Sequence, residues 1–169
     1  TEKKNPPKNN KKNNGKANTR HPTHGKVTIE NTHPHYSNNE RFFVVHNGII
    51  ENYMTIKAEL EKKYTFYSET DTEVVAKLVE DLFDGNIIST LEKVTKKLVW
   101  AYAIAVIDKE NPEVLIGAKL WSPMIVGLGQ NWVFLSSDIN AVSNVAVEFT
   151  TLEDNETVVI KNGKYNVFA

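Results

Sequence analysis

The residues most able to do chemistry are an asparagine and a glycine that follow an apolar run. Residues 42–45 (Phe-Phe-Val-Val) are typical of a strand covered on both faces, and one histidine separates them from Asn47 and Gly48. An asparagine amide beside a glycine N–H offers two fixed donors, which is what an oxyanion hole requires. The dipeptide alone is more often a type I′ hairpin turn.

The segment after this pair argues against a hairpin. Tyr53, Ile56 and Leu60 recur at helical spacing with charged residues between them. The pattern therefore predicts a strand, a corner at Asn47-Gly48 and then a helix over 53–62.

All five histidines of the chain lie between positions 21 and 46. One interpretation is a metal site in which His33 and His35 share one face of an extended segment. No HExxH pattern accompanies them, so we favour histidines that hydrogen-bond the loops around a pocket. Arg20, on the same polar stretch, could clamp a carboxylate through its guanidinium fork.

A second polar stretch, 68–75 (Ser-Glu-Thr-Asp-Thr-Glu-Val-Val), precedes an apolar helical pattern. Thr70 or Asp71 is a good helix N-cap, and acidic residues in a first turn suit the helix dipole. Asp71 could equally be a carboxylate that receives a substrate ammonium. The sequence is compatible with both roles.

Composition narrows the class of protein. The chain has 169 residues, 40% of them hydrophobic, which is enough for one ordinary domain with a core. Residues 1–16 hold six lysines, one glutamate and no large apolar residue, so they are predicted to be disordered. The remaining chain is mildly acidic, which does not suggest a nucleic-acid partner.

Two further features concern chemistry and compartment. The sequence contains no cysteine, which excludes a disulfide, a thiolate metal site and a thiol nucleophile within it. It shows no signal peptide and no apolar run that could cross a bilayer, so no membrane association is expected and the cytoplasm is favoured.

The elements that must position these residues follow an α+β order. After the helix over 53–62, the patterns predict a strand at 64–68, a helix that follows a cap at Thr70 or Asp71 and ends near Asp84-Gly85, and a helix over 89–98. The rest is strand and turn: strands at 101–107, 114–118, 124–128 and 132–136, a short helix after Ser137-Asp138, and a hairpin of 156–161 and 165–168 on Asn162-Gly163.

Several stretches together resemble one family. They are 19–25 (Thr-Arg-x-x-Thr-His-Gly), 31–35 (Asn-x-His-Pro-His), 46–52 (His-Asn-Gly-Ile-Ile-Glu-Asn) and 68–74 (Ser-Glu-Thr-Asp-Thr-Glu-Val). They are similar to the glutaminase domains of glucosamine-6-phosphate synthases. The resemblance covers about residues 17–168, so the expected organisation is a disordered segment 1–16 and a glutaminase-like domain 17–169.

The resemblance implies a fold and a reaction. The fold would be a four-layer α-β-β-α sandwich of the N-terminal-nucleophile hydrolase class. An N-terminal cysteine of such a domain attacks the side-chain amide of glutamine, and a thioester forms as ammonia leaves. Ammonia then passes to a sugar-isomerising domain that converts fructose 6-phosphate to glucosamine 6-phosphate. The family implies a homodimer, no cofactor and no metal.

The resemblance also implies roles for individual residues. Arg20 would grip the α-carboxylate of glutamine or glutamate, and Asp71 would receive its α-ammonium. Asn47 and Gly48 would form the oxyanion hole. The residues that shape and hydrogen-bond the pocket would be Thr23, His24 and His35.

The chain departs from the family in several places. Only nineteen residues precede Arg20, so we expect the cysteine nucleophile and the first strands to be missing. The sugar-isomerising domain is likewise expected to be missing. His21-Pro22 stands where the family has Trp-Ala, and Trp100 where it has a glycine.

Three hypotheses follow. The chain is a glutaminase domain whose catalytic N-terminus is lost, removed or misread. Alternatively, it is a non-catalytic relative that binds glutamine or glutamate, or acts by assembly. The third hypothesis is an unrelated α+β protein with a histidine metal site.

Overall fold

The computed structural model describes residues 28–169. The segment 1–16 and three of the predicted site residues, Arg20, Thr23 and His24, lie outside the described residues.

The described chain forms nine strands, three α-helices and one short 3₁₀ helix. In chain order these are β1 (His35–Tyr36), β2 (Phe42–Gly48), α1 (Tyr53–Leu60), α2 (Asp71–Leu82), α3 (Ile87–Thr95), β3 (Tyr102–Asp108), β4 (Val114–Leu120), β5 (Ile125–Leu128), β6 (Val133–Ser136), the 3₁₀ helix (Ile139–Ala141), β7 (Glu148–Thr151), β8 (Thr157–Lys161) and β9 (Lys164–Phe168).

The strands form two antiparallel sheets. The six-stranded sheet has the order β1-β2-β3-β4-β8-β9, and the three-stranded sheet has the order β6-β5-β7. In the first sheet, most strands that pair are also neighbours in sequence. All three α-helices lie between β2 and β3 in the chain, and these two strands still pair directly.

The helices start where side chains cap them. The hydroxyl of Thr70 accepts a hydrogen bond from the N–H of Glu73 at 3.3 Å, which places Asp71 and Glu73 in the first turn of α2. The side chain of Asn86 accepts from the N–H groups of Ile88 and Ser89 and so begins α3.

The two faces of the large sheet have different neighbours. All three α-helices pack on one face, and this core includes Val44, Val75, Leu91 and Ile104. The three-stranded sheet covers part of the other face. The buried side chains of this second core lie in the strands or next to them: Ala103, Met124, Val126, Leu152, Val158 and Ile160. The described residues thus form a helical layer and two sheet layers of the predicted four-layer sandwich.

Some sequence predictions are corrected by the structure. Residues 64–68 form no strand, because the N–H groups of Tyr67 and Ser68 are taken by the carboxylate of Glu73 instead of a neighbouring strand. Residues 42–45 are not covered on both faces, since Phe43 and Val45 are only half-buried.

Boundaries also differ. The second helix ends at Leu82 with Phe83 as its C-cap, so Gly85 does not cap it, although its φ of 96° is left-handed. The third helix starts at Ile87, two residues earlier than expected. Strands β1 and β7 were not predicted. No helix in the described part of the chain is long and apolar enough to cross a membrane.

Candidate active site

Asn47 and Gly48 end strand β2 without forming a hairpin. They pair with Ala103 and Tyr102 of β3, and the Asn47 side chain is exposed. Gly48 has a φ of 127°, which favours glycine. A Cβ atom there would overlap the carbonyl oxygen of Ala101 and lie 2.8 Å from the hydroxyl of Ser122. We call residues 47–50 the Asn-Gly corner.

The corner is held against residues 97–101. The N–H of Ile49 donates to the carbonyl of Ala101 at 2.9 Å, and the N–H of Glu51 donates to that of Val99 at 3.1 Å. The side chain of Asn52 donates to the carbonyl of Lys97 and accepts from the N–H of Val99. These bonds fix the backbone on which Asn47 and Gly48 sit.

Asp71 joins the start of α2 to the same corner. Its side chain is buried, and one carboxylate oxygen accepts from the N–H of Ile50 at 3.0 Å. The other oxygen lies 3.8 Å from Nδ1 of His46. The structure therefore brings Asp71 together with Asn47 and Gly48, as a group that orders the backbone immediately after them.

Three histidines gather at the first turn of α2. Nε2 of His35 lies 2.9 Å from the hydroxyl of Thr70, while Nε2 of His33 and Nδ1 of His46 lie 2.9 Å and 3.2 Å from the hydroxyl of Thr72. The His33 and His35 rings meet edge to face at 5.4 Å. Among residues 28–169 no group of three or more His, Asp or Glu side chains could hold a metal.

A cleft of about 350 Å³ opens beside this cluster. Its lining includes His35, Tyr36, Tyr67 and Glu73 but none of Asn47, Gly48 and Asp71. Of the predicted site residues that are described, His35 is therefore the one that borders this cleft.

Sequence reasoning missed the roles of Glu73, which lines the cleft, and of Lys77, which pairs with it one turn further along α2. The carboxylate of Glu73 accepts from the N–H groups of Tyr67 and Ser68, at 3.0 and 2.6 Å. Lys77 is completely buried, with Nζ 3.6 Å from Glu73 and 3.3 Å from the carbonyl oxygen of Tyr36. The spacing of Thr70 and Glu73 matches a capping box, a signal that could have revealed the inward-facing glutamate.

The opposite end of β2 is fixed by an ion pair. Arg41 forms a bidentate salt bridge with Asp108, the residue that pairs with Phe42 across β2 and β3. Its Nε and Nη2 atoms each donate to one carboxylate oxygen at 2.8 Å. Burial raises the pKa of Asp108, but hydrogen bonds from Arg41 and Asn111 outweigh this effect and leave the pKa below its usual value.

Comparison with known structures defines the class of fold. A glutamine phosphoribosylpyrophosphate amidotransferase from B. subtilis superposes with a TM-score of 0.73 at 21% identity, over 85% of this chain and 32% of that one. A glutamine aminotransferase class-II domain protein from Silicibacter pomeroyi gives a TM-score of 0.57 at 16% identity, over 83% and 71% of the two chains. The fold is that of the N-terminal-nucleophile amidotransferases, as predicted.

Sequence comparison then gives the family. Residues 23–144 match the family described as "Glutamine amidotransferase domain", and the chain belongs to that family. The hypothesis of an unrelated protein is therefore wrong. The match includes Thr23, His24, Asn47, Gly48 and Asp71.

The relatives are long enzymes. Proteins named glutamine–fructose-6-phosphate aminotransferase [isomerizing] are 44% identical over 155 residues in Fusobacterium nucleatum and 44% identical over 162 residues in Aquifex aeolicus. The matches cover 91% and 95% of this chain but 26% and 27% of those proteins. The chain thus spans about a quarter of the length of the curated relatives it matches.

Proposed function

We propose that this chain is the glutamine-hydrolysing part of an enzyme that makes glucosamine 6-phosphate from fructose 6-phosphate and glutamine. The observation that carries the proposal is the 44% identity over 91% of the chain to a glutamine–fructose-6-phosphate aminotransferase. In this proposal the partner is a sugar-isomerising domain, the full-length enzyme is a homodimer, and the compartment is the cytoplasm.

The geometry of the Asn-Gly corner supports the oxyanion role. The Asn47 amide is exposed, and Gly48 lies on a backbone that Ala101 and Val99 hold through hydrogen bonds. Donors that are fixed before the substrate arrives need no reorganisation as negative charge develops on the amide oxygen. Asn47 and Gly48 would therefore stabilise the tetrahedral intermediate.

The two ends of the amino acid need opposite charges. We assign the α-ammonium to Asp71 and the α-carboxylate to Arg20. A carboxylate has about four acceptor positions, so the bond from Ile50 leaves Asp71 further capacity. Thr23, His24 and His35 would shape the pocket around the substrate, His35 through its contact with Thr70.

The reaction also needs a thiolate that attacks the amide carbon. The 169 residues contain no cysteine, so the proposal assigns to them substrate binding and oxyanion stabilisation. A second candidate function is that of a non-catalytic relative, which would bind glutamine or glutamate through the same groups.

Calorimetry with L-glutamine and L-glutamate tests the proposal on the chain as it stands. We expect both to bind, and Arg20→Ala to weaken binding by about 2–4 kcal/mol, because the substrate carboxylate loses its charged partner. Lys26→Ala, which removes a positive charge from the same stretch, is the matched control and should bind as the wild type does.

Ammonia release from glutamine separates the two candidate functions. The 169 residues hold no cysteine, so on their own they should bind without release under both functions. In protein that carries a cysteine-first N-terminal segment, binding with ammonia release supports the glutaminase, whereas binding without release supports the non-catalytic relative. If the wild-type chain binds neither amino acid, the assignment of Arg20 and Asp71 fails.

A further inference from the structure

Two tryptophans adopt a left-handed backbone conformation that residues other than glycine rarely adopt. Trp100 has a φ of 90° and Trp121 a φ of 59°. Left-handed conformations at large residues are strained and persist only where the surroundings impose them. Such residues often lie at functional sites, so the neighbours of these two tryptophans are informative.

Each tryptophan directly precedes a residue that contacts Gly48. Trp100 precedes Ala101, whose carbonyl occupies the space next to Gly48 and accepts from the N–H of Ile49. Trp121 precedes Ser122, whose hydroxyl lies 2.8 Å from the position of a Cβ atom on Gly48. Each strained residue is thus followed directly by one of the two residues that pack against Gly48 in the Asn-Gly corner.

Trp121 sits at the centre of a tight turn. The N–H of Ser122 donates to the carbonyl of Leu120 at 2.7 Å, a bond across one residue that is typical of a γ-turn. The N–H of Trp121 donates to the carboxylate of Asp154 at 2.8 Å, and Lys119 pairs with that carboxylate. The turn is therefore anchored from outside, and it directs Ser122 towards Gly48.

The two indole rings are in contact with each other. Their centroids are 5.4 Å apart and their planes stand at 86°, an edge-to-face arrangement. Trp100 is 48% exposed and Trp121 is 61% exposed, so neither ring is held by burial in a core. Their contact links the segment before β3 to the turn after β4.

We propose that Trp100 and Trp121 act as positioning residues, which hold Ala101 and Ser122 against Gly48 through their ring contact and so keep the Asn-Gly corner rigid. The inference rests on the proposed function, because a rigid corner matters if Asn47 and Gly48 stabilise an oxyanion. Neither ring needs to touch the substrate.

Two variants of Trp121, one of Trp100 and one of Trp132 test the ring contact while the backbone strain is kept. Trp121→Ala keeps a Cβ atom, and hence the strain, but removes the ring. Trp121→Phe keeps both a ring and the strain. Trp132→Ala is the matched control, because Trp132 is 62% exposed and precedes β6 in the other sheet. Trp100→Ala removes the second ring independently.

The first readout needs no ligand. Amide hydrogen exchange by NMR should be faster at Ile49 in Trp121→Ala and in Trp100→Ala by about threefold to tenfold, the equivalent of one lost aromatic pair. Trp121→Phe should exchange close to the wild-type rate. The N–H of Leu152, which donates to Met124 in the neighbouring part of the fold, should be unchanged in all variants.

The second readout is the affinity for L-glutamate, which should fall by a similar factor in the two alanine variants and stay unchanged in Trp132→Ala. Wild-type exchange at Ile49 in both alanine variants would overturn the inference, as would equal acceleration in Trp132→Ala or at Leu152. If the wild type binds no glutamate, the proposed function fails, while the exchange rates at Ile49 still decide whether the tryptophans position the corner.

Discussion

The chain uses the same dipeptide, asparagine–glycine, in two different ways. Asn162 and Gly163 have φ values of 53° and 72° and join β8 to β9 as a tight hairpin. Asn47 and Gly48 continue β2, and of the two only Gly48 has a left-handed φ, at 127°. Both positions favour glycine because their φ is left-handed. At Gly48 there is a second reason, since a Cβ atom would overlap the carbonyl oxygen of Ala101.

The difference comes from the segments that follow. Residues 164–168 alternate between exposed and half-buried side chains and return along β8. Residues 53–60 form a helix, so the chain after Gly48 leaves the sheet and runs beside residues 97–101. An asparagine–glycine pair therefore permits a sharp change of direction, and the next ten residues decide whether it becomes a hairpin or a site corner.

The largest predicted effect contrasts the two glycines. Gly48→Ala should lower the free energy of unfolding by about 3–5 kcal/mol, because the new methyl group overlaps Ala101 and the backbone is strained. Gly163→Ala, in an exposed turn, should cost about 1–2 kcal/mol from left-handed strain alone. Urea unfolding of both variants measures the difference. Equal losses would mean that close packing at Gly48 is unimportant.

An intermediate effect is predicted at the other end of β2. Asp108→Asn should lower the free energy of unfolding at pH 7 by about 1.5–3 kcal/mol, because the charged bonds with Arg41 are weakened. Amide exchange should increase near Phe42 and stay unchanged at Ile49, which would show that the Asn-Gly corner is held locally. Exchange that increases equally at both ends would contradict this.

The same ion pair predicts a pH dependence. The pKa of Asp108 is lowered in the folded state, so its contribution to stability is complete above the unfolded pKa of about 3.9 and is lost as the pH falls through the folded value. Unfolding curves between pH 7 and pH 2 should show the difference between wild type and Asp108→Asn shrinking only in acid. A difference that already declines between pH 7 and pH 5 would point to another group.

The smallest effect contrasts the two asparagines. Asn47 is exposed and not left-handed, so Asn47→Ala should change the free energy of unfolding by less than about 0.5 kcal/mol while weakening glutamine binding. Asn162→Ala should cost about 1 kcal/mol, because alanine tolerates a left-handed φ less well. Thermal unfolding and calorimetry together test the pair. A larger stability loss at Asn47 would show that its side chain has a structural role.

The sequence predicted the elements whose signals are local. Helix α2 begins after Thr70, one of the two predicted caps, and the hairpin at Asn162 forms as expected, because caps and tight turns depend on a few neighbouring residues. The strand expected at 64–68 failed because Glu73, a residue outside that segment, takes its N–H groups. A side chain in the first turn of the next helix overrode the strand pattern of 64–68.

The candidate site was predictable in part for the same reason. Asn47, Gly48 and Asp71 could be singled out from motifs, and the structure brings them together through Ile50. Ser122 and the carbonyl of Ala101 could not be found, because their importance depends on a contact with Gly48 between residues far apart in the chain.

The hydroxyl of Thr72 has a consequence for the protons of the histidines around it. It faces Nε2 of His33 and Nδ1 of His46, and a hydroxyl carries one proton, which it can donate to only one of them. At least one of these two nitrogens must therefore be protonated, so the tautomers of the two imidazoles are not independent. A loop histidine and a strand histidine thus share their choice of tautomer through one threonine at the start of α2.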